Sequence, residues 1–160
     1  VLLMHGWWMT HVTPRPDRLA NYAWHAALGY DFLALTLLRL LWRWLNTVPE
    51  LPSTLKPWER LGARLGHSSL YVLMLIVSAT GWMVATTFRI PMVKDLFGIN
   101  VPPIVTVVDR STREWIEGSH KVLAYMLAAI VVVHVAGALR HRLAKRNDVL
   151  RRMTWGARSQ

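Results

Sequence analysis

The sequence predicts an all-α fold, an integral membrane four-helix bundle, and three observations carry that expectation. More than half of the 160 residues are apolar. They fall into runs that approach the ~20 residues a helix needs to cross a bilayer. The basic residues behind the net charge of +10 gather between those runs. A soluble nucleic-acid binder would instead spread such charge as a patch over one face, so membrane lipid is an expected partner and nucleic acid is not. One transmembrane domain over residues 1–160 accounts for the length. With no cysteine, disulfides, thiolate-held zinc, iron–sulfur clusters and covalently attached haem are excluded together.

Four spans follow in order. Val1–Thr10 is apolar from its first residue and meets polar His11–Asp17 after about half a span. It has no charged leader and no small-residue cleavage site, and it reads as the tail of a first helix truncated in its N-terminal half. The second span covers about 19–45, with Tyr22, Trp24, Trp42 and Trp44 as interfacial aromatics and Asp31 inside it. A third, at about 66–88, is interrupted by His67 and by serines and threonines, whose hydroxyls bond back to helix carbonyls. The fourth, at about 118–140, has an uncharged stretch from Val122 to Leu139. Pro91, Gly98, Pro102 and Pro103 keep the segment between spans three and four from becoming a fifth helix.

Orientation follows from lysine and arginine on the short flanks. Arg43–Arg64 carries four basic residues and the tail from Arg140 carries seven, whereas His11–Arg18 carries two and Phe88–Glu117 carries four matched by four acids. The tail and the loop between spans two and three are therefore expected in the cytoplasm.

Histidine, methionine and carboxylate remain as metal ligands, and the chain has seven histidines. His11 and His141 fall in the flanks. His120 and His134 are fourteen residues apart on span four; fourteen steps of about 100° return to within roughly 40°, and they climb about 21 Å. Both rings face one way at two depths, as two stacked haems require, since each iron takes an axial imidazole from each of two helices. His25, one or two turns into span two, matches His120 in depth. Small residues flank the ligands, Ala23, Ala26, Ala27 and Gly29 in span two and Ala128, Ala129 and Gly137 in span four, which suits a porphyrin edge and equally suits close helix packing. The partner of His134 stays open at this level. His67 opens span three on the inner side at a plausible height, with a shortfall of up to one or two turns, His5 lies at the wrong height, and a residue before Val1 is the third option.

Several segments then carry a likeness to a known family. They are Pro14–Arg18 (Pro-Arg-Pro-Asp-Arg), Trp24–Gly29 (Trp-His-Ala-Ala-Leu-Gly), Arg39 with Arg43, Leu65–His67, Leu70–Tyr71, the His120/His134 pair, Ala138–His141 and Asp148–Met153. In this order and spacing the chain resembles the bacterial cytochrome b561 family, most closely its superoxide oxidase branch, from about Leu2 to the C-terminus. The resemblance implies two b haems, the outer held by His25 and His120, the inner by His134 and a histidine that would fall before Val1. It assigns His67 to a ubiquinone pocket rather than to iron, leaving it the alternative inner ligand. It implies a bacterial inner-membrane enzyme passing electrons from superoxide on the outer side to ubiquinone. Arg15, Arg18 and Lys121 would form an electropositive mouth for that anion. Tyr30 and Asp31, within two turns of His25, are candidate groups behind that ligand. The rival expectation is a haem-carrying membrane-anchor subunit serving a partner dehydrogenase or hydrogenase.

Overall fold

The computed structural model describes residues 1–46, 57–87, 97–105 and 108–155, and the side chains there except those of Arg15 and of residues 141–155. Four α-helices account for most of it: α1 (Leu2–His11), α2 (Arg18–Leu45), α3 (Pro57–Thr87) and α4 (Arg110–Trp155), with a 3-10 turn at Arg15–Asp17.

Local chemistry sets each boundary. Pro14 and Pro16 lack the amide proton that would continue α1. The chain turns at Thr13, only 2% exposed, whose backbone N–H and hydroxyl both donate to the Trp8 carbonyl. Arg18 Nε donates to the Thr13 carbonyl at 3.1 Å and ties the corner to the start of α2. At the far end of α2, the backbone and side-chain N–H groups of Asn46 both donate to the Trp42 carbonyl, at 3.0 and 2.8 Å. α3 opens on Pro57, whose missing N–H is no loss at the first helical position. Asp109 caps α4: its carboxylate accepts the Ser111 N–H at 3.0 Å, the Thr112 N–H at 3.3 Å and both hydroxyls. Those hydrogen bonds, the Ser111 and Thr112 hydroxyls first, hold its pKa well below the usual carboxylate range.

Side-chain contacts give the directions. Arg39, late in α2, meets Tyr71 in the middle of α3, and Trp82, late in α3, packs on Tyr30. His120, early in α4, meets Thr80, late in α3. The helices run up, down, up and down, with α3 packed most closely on α4, α2 on α3, and α1 on α2. Trp82 Nε1 also donates to the Pro102 carbonyl at 2.9 Å and ties residues 97–105 to the end of α3. Gly98 there has φ +81°, a left-handed conformation that glycine accepts without a Cβ clash. Residues 88–96, with Pro91, lie outside the described residues.

By length and composition, α3 and the Arg110–Arg140 part of α4 are apolar enough to cross a membrane. α2 is long enough, about 42 Å at 1.5 Å per residue, but it carries Asp31, Arg39 and Arg43. α3 and α4 both extend beyond the spans expected from hydropathy, because a helix continues in polar sequence after its apolar run ends. The interior is small. Among the described residues, those that are buried are Ala27, Leu73, Ala85 and Leu127 with Thr13, Thr36 and Thr87. Large apolar side chains such as Leu38, Trp42 and Val133 point outward. In lipid that outward display is not penalised, and helices associate through packing and hydrogen bonds.

Candidate functional site

Three helices deliver imidazoles to one half of the bundle, the outer half in the orientation expected from the charge pattern: His5 from α1, His25 from α2 and His120 from α4. The rings of His25 and His120 have centroids 6.4 Å apart, with planes at 77°. His5 stands 5.8 Å from His25, its Nε2 at 3.3 Å from Asn21 Oδ1. An imidazole nitrogen binds a first-row metal at about 2.0–2.1 Å, so two rings on opposite sides of one metal have centroids roughly 6 Å apart. His25 and His120 meet that spacing. Among the described residues no extensive backbone packing joins α2 to α4. The two rings therefore reach toward each other across a gap rather than being pressed together by their helices.

The surroundings fix how each ring is presented. His120 Nδ1 lies 3.1 Å from the Val77 carbonyl and 3.2 Å from Thr80 Oγ1. A carbonyl only accepts, so Nδ1 carries the proton and Nε2 keeps its lone pair for a metal. His25 Nδ1 is buried with no hydrogen-bond partner among the described residues. Glycines stand against both rings: a Cβ at Gly6 would lie 3.1 Å from His25 Cε1, and one at Gly81 would lie 2.9 Å from His120 Cε1. Gly29, one turn beyond His25, faces open space rather than a neighbouring helix. Helix packing therefore does not explain that glycine.

These observations fit a haem. Its porphyrin supplies four nitrogens to the iron, so the protein need contribute only two axial imidazoles. Among the described residues no three His, Asp or Glu side chains converge in the manner of a zinc site.

In the inner half, His67 of α3 and His134 of α4 have ring centroids 5.1 Å apart, with planes at 56°. His67 is therefore level with His134, not one or two turns shallower, because antiparallel α3 and α4 bring the start of one beside the later part of the other. The separation is shorter than two imidazoles on one iron require, and both residues are exposed. One turn beyond His67, the Tyr71 hydroxyl accepts from Arg39 Nε at 2.9 Å, and the Arg43 guanidinium sits 5.6 Å from the Tyr71 ring centroid.

The remaining candidates are scattered. Lys121 pairs with Glu117 at 2.6 Å, a helix pair of about 0.3–0.5 kcal/mol. Arg18 is engaged at Thr13. The Arg15 side chain lies outside the described ones, as does that of His141. Tyr30 packs edge-on against Trp82 at 5.9 Å. His11 bonds to the Trp7 carbonyl of its own helix through Nδ1 at 2.9 Å. Sequence reasoning overlooked His5 as a neighbour of His25, and all of Val77, Thr80 and Gly81. One signal pointed to the last: a glycine inside an apolar helix costs about 1 kcal/mol relative to alanine and marks a close approach.

The sequence profile of the prokaryotic cytochrome b561 family matches residues 1–156. The chain is also similar to cytochrome b561 homolog 2 of Escherichia coli (strain K12), with 30% identity over 131 residues that cover 81% of this chain and 68% of that protein.

Proposed function

Because the chain belongs to the prokaryotic cytochrome b561 family, membrane-bound b-type cytochromes of electron transfer, we propose that it is an integral membrane bundle that holds an outer haem b between His25 and His120 and passes electrons from an outer-side donor, superoxide first, to ubiquinone. One observation carries this reading: two imidazoles on helices without extensive mutual packing are separated by the distance two axial ligands need. When bound there, haem b supplies one-electron exchange at a potential set by its ligands and their partners.

The chain's own residues do the rest. His120 presents Nε2 because its Nδ1–H is taken up by α3. Gly6 and Gly81 let the two rings lie close against α1 and α3, and Gly29 leaves an open face one turn deeper. His134 presents a further imidazole toward an inner haem b, with His67 as the nearest second ring. His67 and the arginine-held Tyr71 hydroxyl offer polar groups to a ubiquinone ring oxygen at that end. Two superoxide anions leaving as dioxygen release two electrons, which with two protons reduce one ubiquinone to ubiquinol. The basic tail from Arg140 belongs in the cytoplasm and the His25/His120 end faces outward across a bacterial inner membrane.

A second reading has its own support. Lys121 is paired with Glu117, which leaves less free positive charge to gather a small anion. A protein donor fits that better, with the chain acting as the haem-carrying anchor of a dehydrogenase or hydrogenase. Purification in detergent separates the two. A chain that isolates alone with a b-type reduced-minus-oxidised spectrum and reduces ubiquinone when superoxide is generated is the enzyme. One that is inert unless a larger subunit accompanies it is the anchor, and absence of a b-type band refutes both.

A further inference from the structure

The third helix contributes no imidazole to the outer pair, yet it makes the closest contacts with one member of it. Val77, Thr80 and Gly81 fall within one turn of α3 and all touch His120. Thr80 Oγ1 donates its own proton back to helix carbonyls, those of Ile76 at 2.9 Å and Val77 at 3.0 Å. Its oxygen is thereby left as an acceptor for the ring. With the Thr80 proton on Ile76, the two lone pairs of the Val77 carbonyl can serve the helix and the imidazole together. Gly81 makes this possible: a Cβ at 2.9 Å from Cε1 would push the ring off α3 and away from both acceptors. Among the described residues His25 has no such arrangement, since its Nδ1 is buried without a partner there.

We propose that Val77, Thr80 and Gly81 act as a positioning bracket that fixes the tautomer and orientation of His120 and sets the redox potential of the outer haem through that ligand alone. This rests on the reading of His120 as an axial ligand. A ring whose N–H is bonded to an acceptor is the more basic ligand through its other nitrogen. Greater basicity stabilises the ferric state and lowers the midpoint potential. The two ligands of one iron are then unequal, with His120 strengthened from behind and His25 not.

Redox titration of the purified, haem-loaded protein tests this, with the ferric low-spin electron paramagnetic resonance signal as a second readout. Thr80→Val keeps the shape of the side chain and removes one of the two acceptors, so the outer midpoint potential rises; Thr80→Ser restores that acceptor and returns the potential to the wild-type value. Gly81→Ala raises the potential further and changes the resonance signal. Thr80→Val carries the test by itself should Gly81→Ala fail to accumulate. A Thr80→Val potential equal to wild type overturns the bracket, as does a serine variant shifted as far as the valine one. The underlying reading fails separately: His120→Ala that retains the outer haem with an unchanged spectrum removes the ligand assignment itself.

Discussion

Helix α4 carries one histidine into the outer half of the bundle and another into the inner half, and the two find different surroundings. His120 is half-buried, bonded to a carbonyl and a hydroxyl of α3, and held 6.4 Å from His25. His134 is exposed, and among the described residues neither it nor His67 has a hydrogen-bond partner. A Cβ at Gly66 would meet His134 only at 3.9 Å, an ordinary contact. The residue type and the helix are the same. What separates a positioned ligand from an available one is the neighbouring helix, which supplies acceptors and gives up a side chain so that the ring can reach them.

The strongest way to break this comparison is to delete the rings. His25→Ala or His120→Ala is expected to abolish the outer b-type signal, whereas His134→Ala leaves it in place, as read by pyridine-haem quantification and difference spectra. Packing gives the next largest contrast. Leu127, 5% exposed in the outer half of α4, is expected to cost about 2–5 kcal/mol on truncation to alanine. Val133→Ala, at 72% exposure, should stay within about 0.5 kcal/mol. Thermal unfolding in detergent measures both, and equal losses would mean that the two halves are packed alike.

The glycines sharpen the point at smaller scale. Gly6→Ala places a Cβ 3.1 Å from His25 Cε1 and is expected to lower haem occupancy, while Gly66→Ala should leave occupancy unchanged. The smallest effect lies outside both halves, at Asp109. Its carboxyl is held below the ordinary value of ~3.9 by the Ser111 and Thr112 hydroxyls and amides. Its contribution to the start of α4 is therefore complete above about pH 4–5, and it is lost as pH falls through the lower folded-state value. Amide hydrogen exchange at Ser111 and Thr112 should quicken in Asp109→Ala at neutral pH, and less so in Asp109→Asn, which keeps one acceptor oxygen.

Much of this was legible in the chain. The apolar run from Val122 to Leu139 and the fourteen-residue spacing of His120 and His134 follow from helix geometry, and the family resemblance rests on short segments in order. The level of His67 is only approximate when depth is counted from the ends of apolar runs, because α3 begins at Pro57, well before its run starts. The neighbourhood of His5 was missed because a hairpin through Thr13 folds α1 back on α2, and that closeness depends on a corner of a few residues.

The sequence by itself determined the helical class, the apolar stretches, the excess of positive charge on two flanks and the imidazoles that are available. Each of these is periodic or additive along one chain. Only the tertiary structure decided how the imidazoles are presented to each other, that α3 grips His120 through Val77, Thr80 and Gly81, and that His25 Nδ1 has no partner among the described residues. Those outcomes depend on the rotation and separation of two helices at once, and a shift of a few tenths of an ångström at Gly81 changes them.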